Sequence, residues 1–253
     1  MSLSVLLTAA EEDAEQFCAS LAGKPVSLLH HPLERYEALG MNSTIRDTLN
    51  RMEDFENIVH GSKRNARFFI EKLKELNKLK DARQQLNLAL NQPTADYLEE
   101  ENIPAIHPRA EGKAINLMEF MLRVRRLGTT LYPCGDKTSE DLPGLLQELD
   151  IPVEELVLFR LEGPREEELQ QNKNVLQDQQ PEVVLFHSRR SVNRTRAAFP
   201  DLDYDEIRVI SGDQAVTDKL EREGIPVDRQ AAGSWESLLE ELEVELPRPS
   251  TGR

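Results

Sequence analysis

Residues 181–192 read PEVVLFHSRRSV. Val183 to Phe186 is a short, continuous apolar run with polar residues on either side. Such a run predicts a strand buried on both faces of a parallel sheet. Ser188, Arg189 and Arg190 follow, and a helical pattern continues through Phe199. A helix that opens straight out of a strand presents N–H groups with no intrahelical partner. Ser188, flanked by Arg189 and Arg190, is therefore suited to receive an anion. The same serine could serve only as a helix N-cap. This block alone leaves both readings open.

The block occurs twice. Residues 56–69, ENIVHGSKRNARFF, again give a short apolar run, then Ser62 with Lys63 and Arg64, then a helix. Downstream, LNLALNQPTADYLEEENIPAI (86–106) parallels IRVISGDQAVTDKLEREGIPV (207–227). Both read as strand, polar turn, helix ending at Asn102 or Gly224, then Ile-Pro. An amphipathic helix follows each, AINLMEFMLRV in one case and SWESLLEELEV in the other. The offset of roughly 120 to 125 residues is too long for a solenoid repeat and indicates two related domains.

The order of elements shows how the chain is divided. The second half ends after its last helix and has no partner for TTLYPCGDKTSEDLPGLLQEL and VLFRLEG. The N-terminus supplies the missing pieces, SVLLTAAEEDAEQFCASL and VSLLHHP. The expectation is an α/β protein of two related domains, each a parallel sheet flanked by helices, with one domain discontinuous in sequence. Its boundaries are expected at 1–31 with 164–253 for the split domain and 36–156 for the inserted one, joined by crossings near Pro32–Leu39 and Val157–Gly163. Ligands of such sheets bind at the carboxyl ends of the strands. Ser62, Thr94, Ser188 and the 212–217 turn fall there and are expected to line a cleft between the domains.

Smaller features are read in the same way. Asn91 is expected to tolerate a left-handed turn, and Pro93 fits a first helical turn. Lys78 to Gln84 reads as a loop, strand Thr129–Tyr132 is expected to stop before Pro133, and a helix is expected to begin near Gly112. The adjacent His30 and His31 point in different directions from any regular element, so no metal site is expected there.

The chain has 253 residues, 39% of them hydrophobic, and a net charge of −15. Length and apolar content suffice for two modest cores, and the acidity argues against a nucleic-acid binder. With only two cysteines, Cys18 and Cys134, no disulfide framework is expected. The N-terminus lacks the basic lead of a signal peptide, and no stretch reaches the ~20 apolar residues of a membrane helix. The expected location is the cytoplasm, with no membrane partner, and a monomer is expected.

Taken together, these blocks resemble the uroporphyrinogen-III synthase family over most of the chain. IVHGSKRNARFF and VLFHSRRSV resemble its apolar-strand-then-Ser blocks. LALNQPTADYLEEENI resembles its strand-turn-Thr-Ala-helix block, with Asn91 where Gly is usual. LYPCGDKTSEDLPGLLQEL and ELVLFRLEG resemble the segment leading to the interdomain connection. There are departures. Thr8-Ala9-Ala10 stands where the family usually shows Thr-Arg-Pro, Phe159 where it usually carries Tyr, and Thr217 aligns only loosely.

The resemblance implies a lyase that cyclises linear hydroxymethylbilane to uroporphyrinogen III, inverting the last pyrrole ring and losing water, with no metal or cofactor. It implies substrate contacts at Ser62, Lys63, Arg64, Thr94, Ser188, Arg189, Arg190, Thr217, Phe159 and Thr8. Phe159 puts a tyrosine-based acid at that position out of reach. His60 and His187, just before the two serines, are acids by type or structural strand-end groups. Arg67 and Arg194 lie one turn along their helices and could be surface residues, and Lys113 and Lys137 are further cations. Two other readings remain. One is a non-catalytic two-lobed binding protein for an anionic small molecule. The other is an interaction protein using the acidic segments 138–150 and 234–245.

Overall fold

The computed structural model describes residues 2–108, 113–137 and 142–246. The expected helix start near Gly112 and the first residues of the acidic segment 138–150 lie outside them. The chain divides into two compact units, Met1–Arg35 with Glu162–Arg253, and Tyr36–Leu161.

The elements run β1 (Leu3–Leu7), α1 (Glu11–Ser20), β2 (Val26–His30), β3 (Arg35–Ala38), α2 (Ser43–Asn50), β4 (Asn57–His60), α3 (Lys63–Glu75) and α4 (Leu79–Ala82). Then come β5 (Leu86–Ala89), α5 (Gln92–Glu100), β6 (Ala105–Ile106), α6 (Ala114–Val124), β7 (Thr130–Gly135), α7 (Leu142–Glu148) and β8 (Val153–Glu162). The chain closes with α8 (Glu166–Asp178), β9 (Val183–Phe186), α9 (Arg189–Ala198), β10 (Arg208–Ser211), α10 (Gln214–Arg222), β11 (Arg229–Gln230) and α11 (Trp235–Glu245).

In the discontinuous unit the strand order is β11-β10-β9-β1-β2, and all pairs are parallel. Val5 to Leu7 pair with Val183 to Leu185, so strands far apart in sequence lie side by side. Successive side chains of a strand point to opposite faces. Leu3, Val5, Leu7, Val183 and Leu185 face α1 and α11, whereas Leu6, Val184 and Phe186 face α8, α9 and α10. Both faces of the VVLF run are covered, which is why it is apolar throughout. Each such side chain contributes about 1.5–3 kcal/mol on burial.

The other unit has the order β3-β8-β7-β4-β5-β6. Apart from β3, it repeats the first order with β4 in the place of β9 and β7 in the place of β1. One core joins Ile58, Leu131 and Leu156 to α2, α3 and α5, and the other joins Val59, Leu88 and Tyr132 to α6 and α7.

Several local expectations change. Residues 35–38, expected only to cross, form strand β3 beside β8. Strand β7 runs through Pro133 because its pairing with β4 ends at Leu131, so the missing proline N–H breaks no ladder there. Lys78–Gln84 contains the single turn α4, held by buried Ala82. Helix α8 lies in a stretch to which the sequence reading assigned no element. Asn91 is extended (φ −141, ψ 164), not left-handed, and its side chain caps α5. In these two repeated blocks the left-handed positions are Asn102 and Gly224, where α5 and α10 end. At both ends the next isoleucine N–H bonds back, Ile103 to Leu98 and Ile225 to Leu220. That is a Schellman closure, and it explains the repeated Ile-Pro.

Candidate functional site

In the discontinuous unit the site is built on β1, β9 and β10. Ser188 caps α9: its Oγ accepts from the Ser191 N–H at 3.1 Å, and the Ser188 N–H donates to Ser191 Oγ at 3.2 Å. Asp213 caps α10 through the Val216 N–H at 2.8 Å. Arg189 and Arg190 are exposed at the start of α9. The N–H groups in the first turn of a helix have no intrahelical partner, so this turn offers backbone donors and two cations together.

Thr8 and Thr217, expected as contacts, are turned inward. Thr8 Oγ1 shares a hydrogen bond with Thr195 Oγ1 at 2.9 Å. Thr217 Oγ1 meets Ser211 Oγ at 2.6 Å and donates to the Asp213 carbonyl at 3.2 Å. Counted from the caps, Val216 and not Thr217 holds the position that Thr94 holds in α5.

In the inserted unit Ser62 caps α3 through the Asn65 N–H at 3.2 Å. Lys63 is exposed, with Nζ 5.6 Å from the Tyr97 ring centre, and the Arg64 guanidinium lies 3.4 Å over the Tyr36 ring. Thr94 is buried and directed at its own cap, its N–H and Oγ1 both donating to Asn91 Oδ1 at 3.1 and 2.7 Å.

Phe159, expected to touch substrate, is a core side chain at 4% exposure. It stacks on Phe68 with ring centres 4.5 Å apart and meets Tyr36 edge-on at 5.9 Å. A Cβ on Gly135 would overlap its ring, so the glycine is what gives Phe159 room.

The two histidines that precede the serines are neutral at pH 7. Burial pushes His60 down to about 4, although its Nε2–H donates to Asn87 Oδ1 at 3.1 Å. His187 is also pushed down to about 4, first by burial and further by Arg190, against the opposing pull of Asp13. Its ring stacks on Trp235 at 5.4 Å. Neither histidine carries the proton that a general acid would need at neutral pH.

Glu34 is not among the residues singled out from the sequence, and Arg194 is expected there only as a cation that could be a surface residue. Glu34 is buried, and Arg194 Nε lies 3.1 Å from its Oε1. The signal in the sequence was a lone acid in HHPLERY, just past an apolar strand, where a buried carboxylate needs a cation.

A family model described as uroporphyrinogen-III synthase HemD matches residues 17–239. The chain belongs to the uroporphyrinogen-III synthase family. Enzymes of this family cyclise hydroxymethylbilane in heme biosynthesis. The fold is similar to the crystal structure of uroporphyrinogen-III synthetase from Helicobacter pylori, with TM-score 0.65, 18% identity, and coverage of 97% of this chain and 100% of that one. It is also similar to a mutant uroporphyrinogen III synthase from Thermus thermophilus, with TM-score 0.59, 15% identity, and coverage of 96% and 98%. At these identities the likeness supports the two-domain α/β fold. No curated protein matches the chain at a significant level.

Proposed function

We propose that this chain carries out the reaction of the uroporphyrinogen-III synthase family, and that the Ser62 and Ser188 turns receive carboxylates of the substrate. The supporting observation is that both turns join a buried parallel strand to a serine-capped helix with two cations in its first turn. Hydroxymethylbilane carries eight carboxylates, and a chain of net charge −15 offers it no long-range attraction. Binding therefore rests on local donors, namely Lys63 and Arg64 at one turn, Arg189 and Arg190 at the other, and the helix-start N–H groups. Thr8, Thr94 and Thr217 support the turns from within by bonding caps and neighbouring helices. Phe159 supports the inserted domain by packing.

In the reaction the terminal hydroxymethyl carbon loses its hydroxyl, which takes up a proton and leaves as water. The resulting azafulvenium cation is attacked by the already substituted α-carbon of the last pyrrole ring. The older bond from that carbon to its bridging methylene then breaks, and the freed methylene bonds to the ring's unsubstituted α-carbon. The proton lost from that carbon returns to solvent, which leaves the ring inverted. The chain contributes by holding a flexible tetrapyrrole with its ends close, an effect that can supply about 7–11 kcal/mol of a barrier. No metal or cofactor enters this scheme. The same reading makes the enzyme a cytoplasmic monomer without a nucleic-acid partner. Among the described residues, no helix is long and apolar enough to cross a membrane.

The test is to supply enzymatically generated hydroxymethylbilane and analyse the isomers formed. The type III isomer is the expected product. A protein that binds the bilane and leaves only the type I isomer would be a binding module and not a synthase.

A further inference from the structure

We infer that Glu34 is a positioning residue for Arg190, holding that guanidinium at the Ser188 turn for an incoming carboxylate. The inference rests on the proposed role of this turn in binding substrate.

Arg190 and Arg194 lie one turn apart on the same side of α9, where two like charges repel. Glu34 sits against both. Its Oε1 is 3.1 Å from Arg194 Nε and 3.8 Å from Arg190 Nε. The carboxylate is 5% exposed, whereas the Arg190 side chain is 43% exposed. The buried partner therefore fixes the root of the pair while the donors of Arg190 still reach solvent. At 3.8 Å the Arg190 contact is an attraction across space and not a hydrogen bond, so it uses up none of the five N–H donors.

Arg194 anchors the arrangement. Its Nη1 donates to the Leu33 carbonyl at 2.6 Å and to the Glu162 carbonyl at 3.4 Å. These two carbonyls belong to the two segments by which the chain leaves and re-enters this unit. One guanidinium thus ties α9 to both segments and holds Glu34 beside Arg190. The Glu34 charge is neutralised first by Arg194, so it repels an incoming carboxylate only weakly. Its net effect is to order a long, flexible side chain before binding, which removes that ordering from the binding step.

The test is a double-mutant cycle read as equilibrium binding of uroporphyrin III, an octacarboxylate with the charge pattern of the product. The four proteins are wild type, Glu34→Gln, Arg190→Ala and the double variant, with melting temperature recorded for each. Glu34→Gln is expected to raise Kd about 3- to 10-fold, and that effect is expected to vanish in the Arg190→Ala background. A merely structural role for Glu34 would lower the melting temperature and shift Kd equally in both backgrounds, and that result would overturn the inference. An unchanged Kd in Glu34→Gln would overturn it as well. Should Glu34→Gln fail to fold, Glu34→Asp carries the same cycle, because it keeps the charge beside Arg194 and shortens the reach to Arg190. Wild-type protein that binds uroporphyrin III but forms no type III isomer would overturn the synthase reading and leave the cycle to decide the role of Glu34.

Discussion

At Ser62 the cap residue has φ −159 and ψ 162, and at Ser188 it has φ −158 and ψ 159. Each cap lies two residues past the end of a buried strand, and each accepts the N–H three residues on. What holds the cations differs. At the Ser62 turn Arg64 rests on the Tyr36 ring, which meets Phe159, which in turn stacks on Phe68 of the capped helix itself. At the Ser188 turn Arg190 is steadied by the buried carboxylate of Glu34. One domain copy uses an aromatic stack and the other an ion pair, while the strand-to-helix turn is retained in both. The turn is thus fixed by local chain geometry, and the orientation of its cations is left to neighbours from elsewhere in each domain.

Phe159→Ala is expected to disturb the Ser62 side most severely. It removes the centre of the aromatic stack, and a buried phenylalanine truncated to alanine costs about 3–5 kcal/mol. The expected outcome in urea unfolding is that loss in the inserted domain, with the discontinuous domain unchanged. A loss below about 1 kcal/mol would place Phe159 outside the core.

The next effect is on pH. His60 and His187 stay neutral down to about 4 in the fold, whereas in the unfolded chain they protonate near 6.5. Between those values the unfolded chain binds more protons, so stability is full above about pH 6.5 and falls as pH drops, by up to about 1.4 kcal/mol per pH unit for each histidine. Melting temperatures measured from pH 7 to pH 5 should therefore fall less steeply for His60→Asn than for wild type. Equal slopes would mean that His60 titrates normally.

The smallest effect separates the two caps themselves. Ser188→Ala and Ser62→Ala each lose one side-chain bond, to the Ser191 N–H and to the Asn65 N–H, while the Ser188 backbone N–H keeps its bond to Ser191 Oγ. Each is expected to cost about 1 kcal/mol, the Ser62 change being the larger because its turn has no such second bond. The reverse order, measured by thermal unfolding, would show that the retained Ser191 bond does not compensate for the lost cap.

These differences also mark how far the sequence could be read. The strand-Ser-helix blocks and the Ile-Pro closures were legible because caps and left-handed ends are set by residues a few positions apart. The discontinuous domain was legible because the missing pieces of one repeat appear at the start of the chain. Glu34 was not, since its partners Arg190 and Arg194 are far along the chain and become neighbours only through the β1–β9 pairing. Phe159 is an expected contact because the resembled family usually carries Tyr there, and Thr94 and Thr217 are expected contacts because they follow strand ends. Their side chains are instead directed to a ring, a cap and a neighbouring hydroxyl. Which way such a side chain points depends on its packing partners, and its spacing in the chain does not reveal them.

The central claim is that the cations at these turns hold substrate carboxylates. It is tested most directly by the kinetics of Arg189→Ala with Arg190→Ala on hydroxymethylbilane at low salt. Each charge-assisted hydrogen bond contributes roughly 1.5–3 kcal/mol where water is partly excluded. The expected result is an apparent KM raised at least about 10-fold, with a melting temperature close to wild type. Wild-type kinetics in that variant would contradict it.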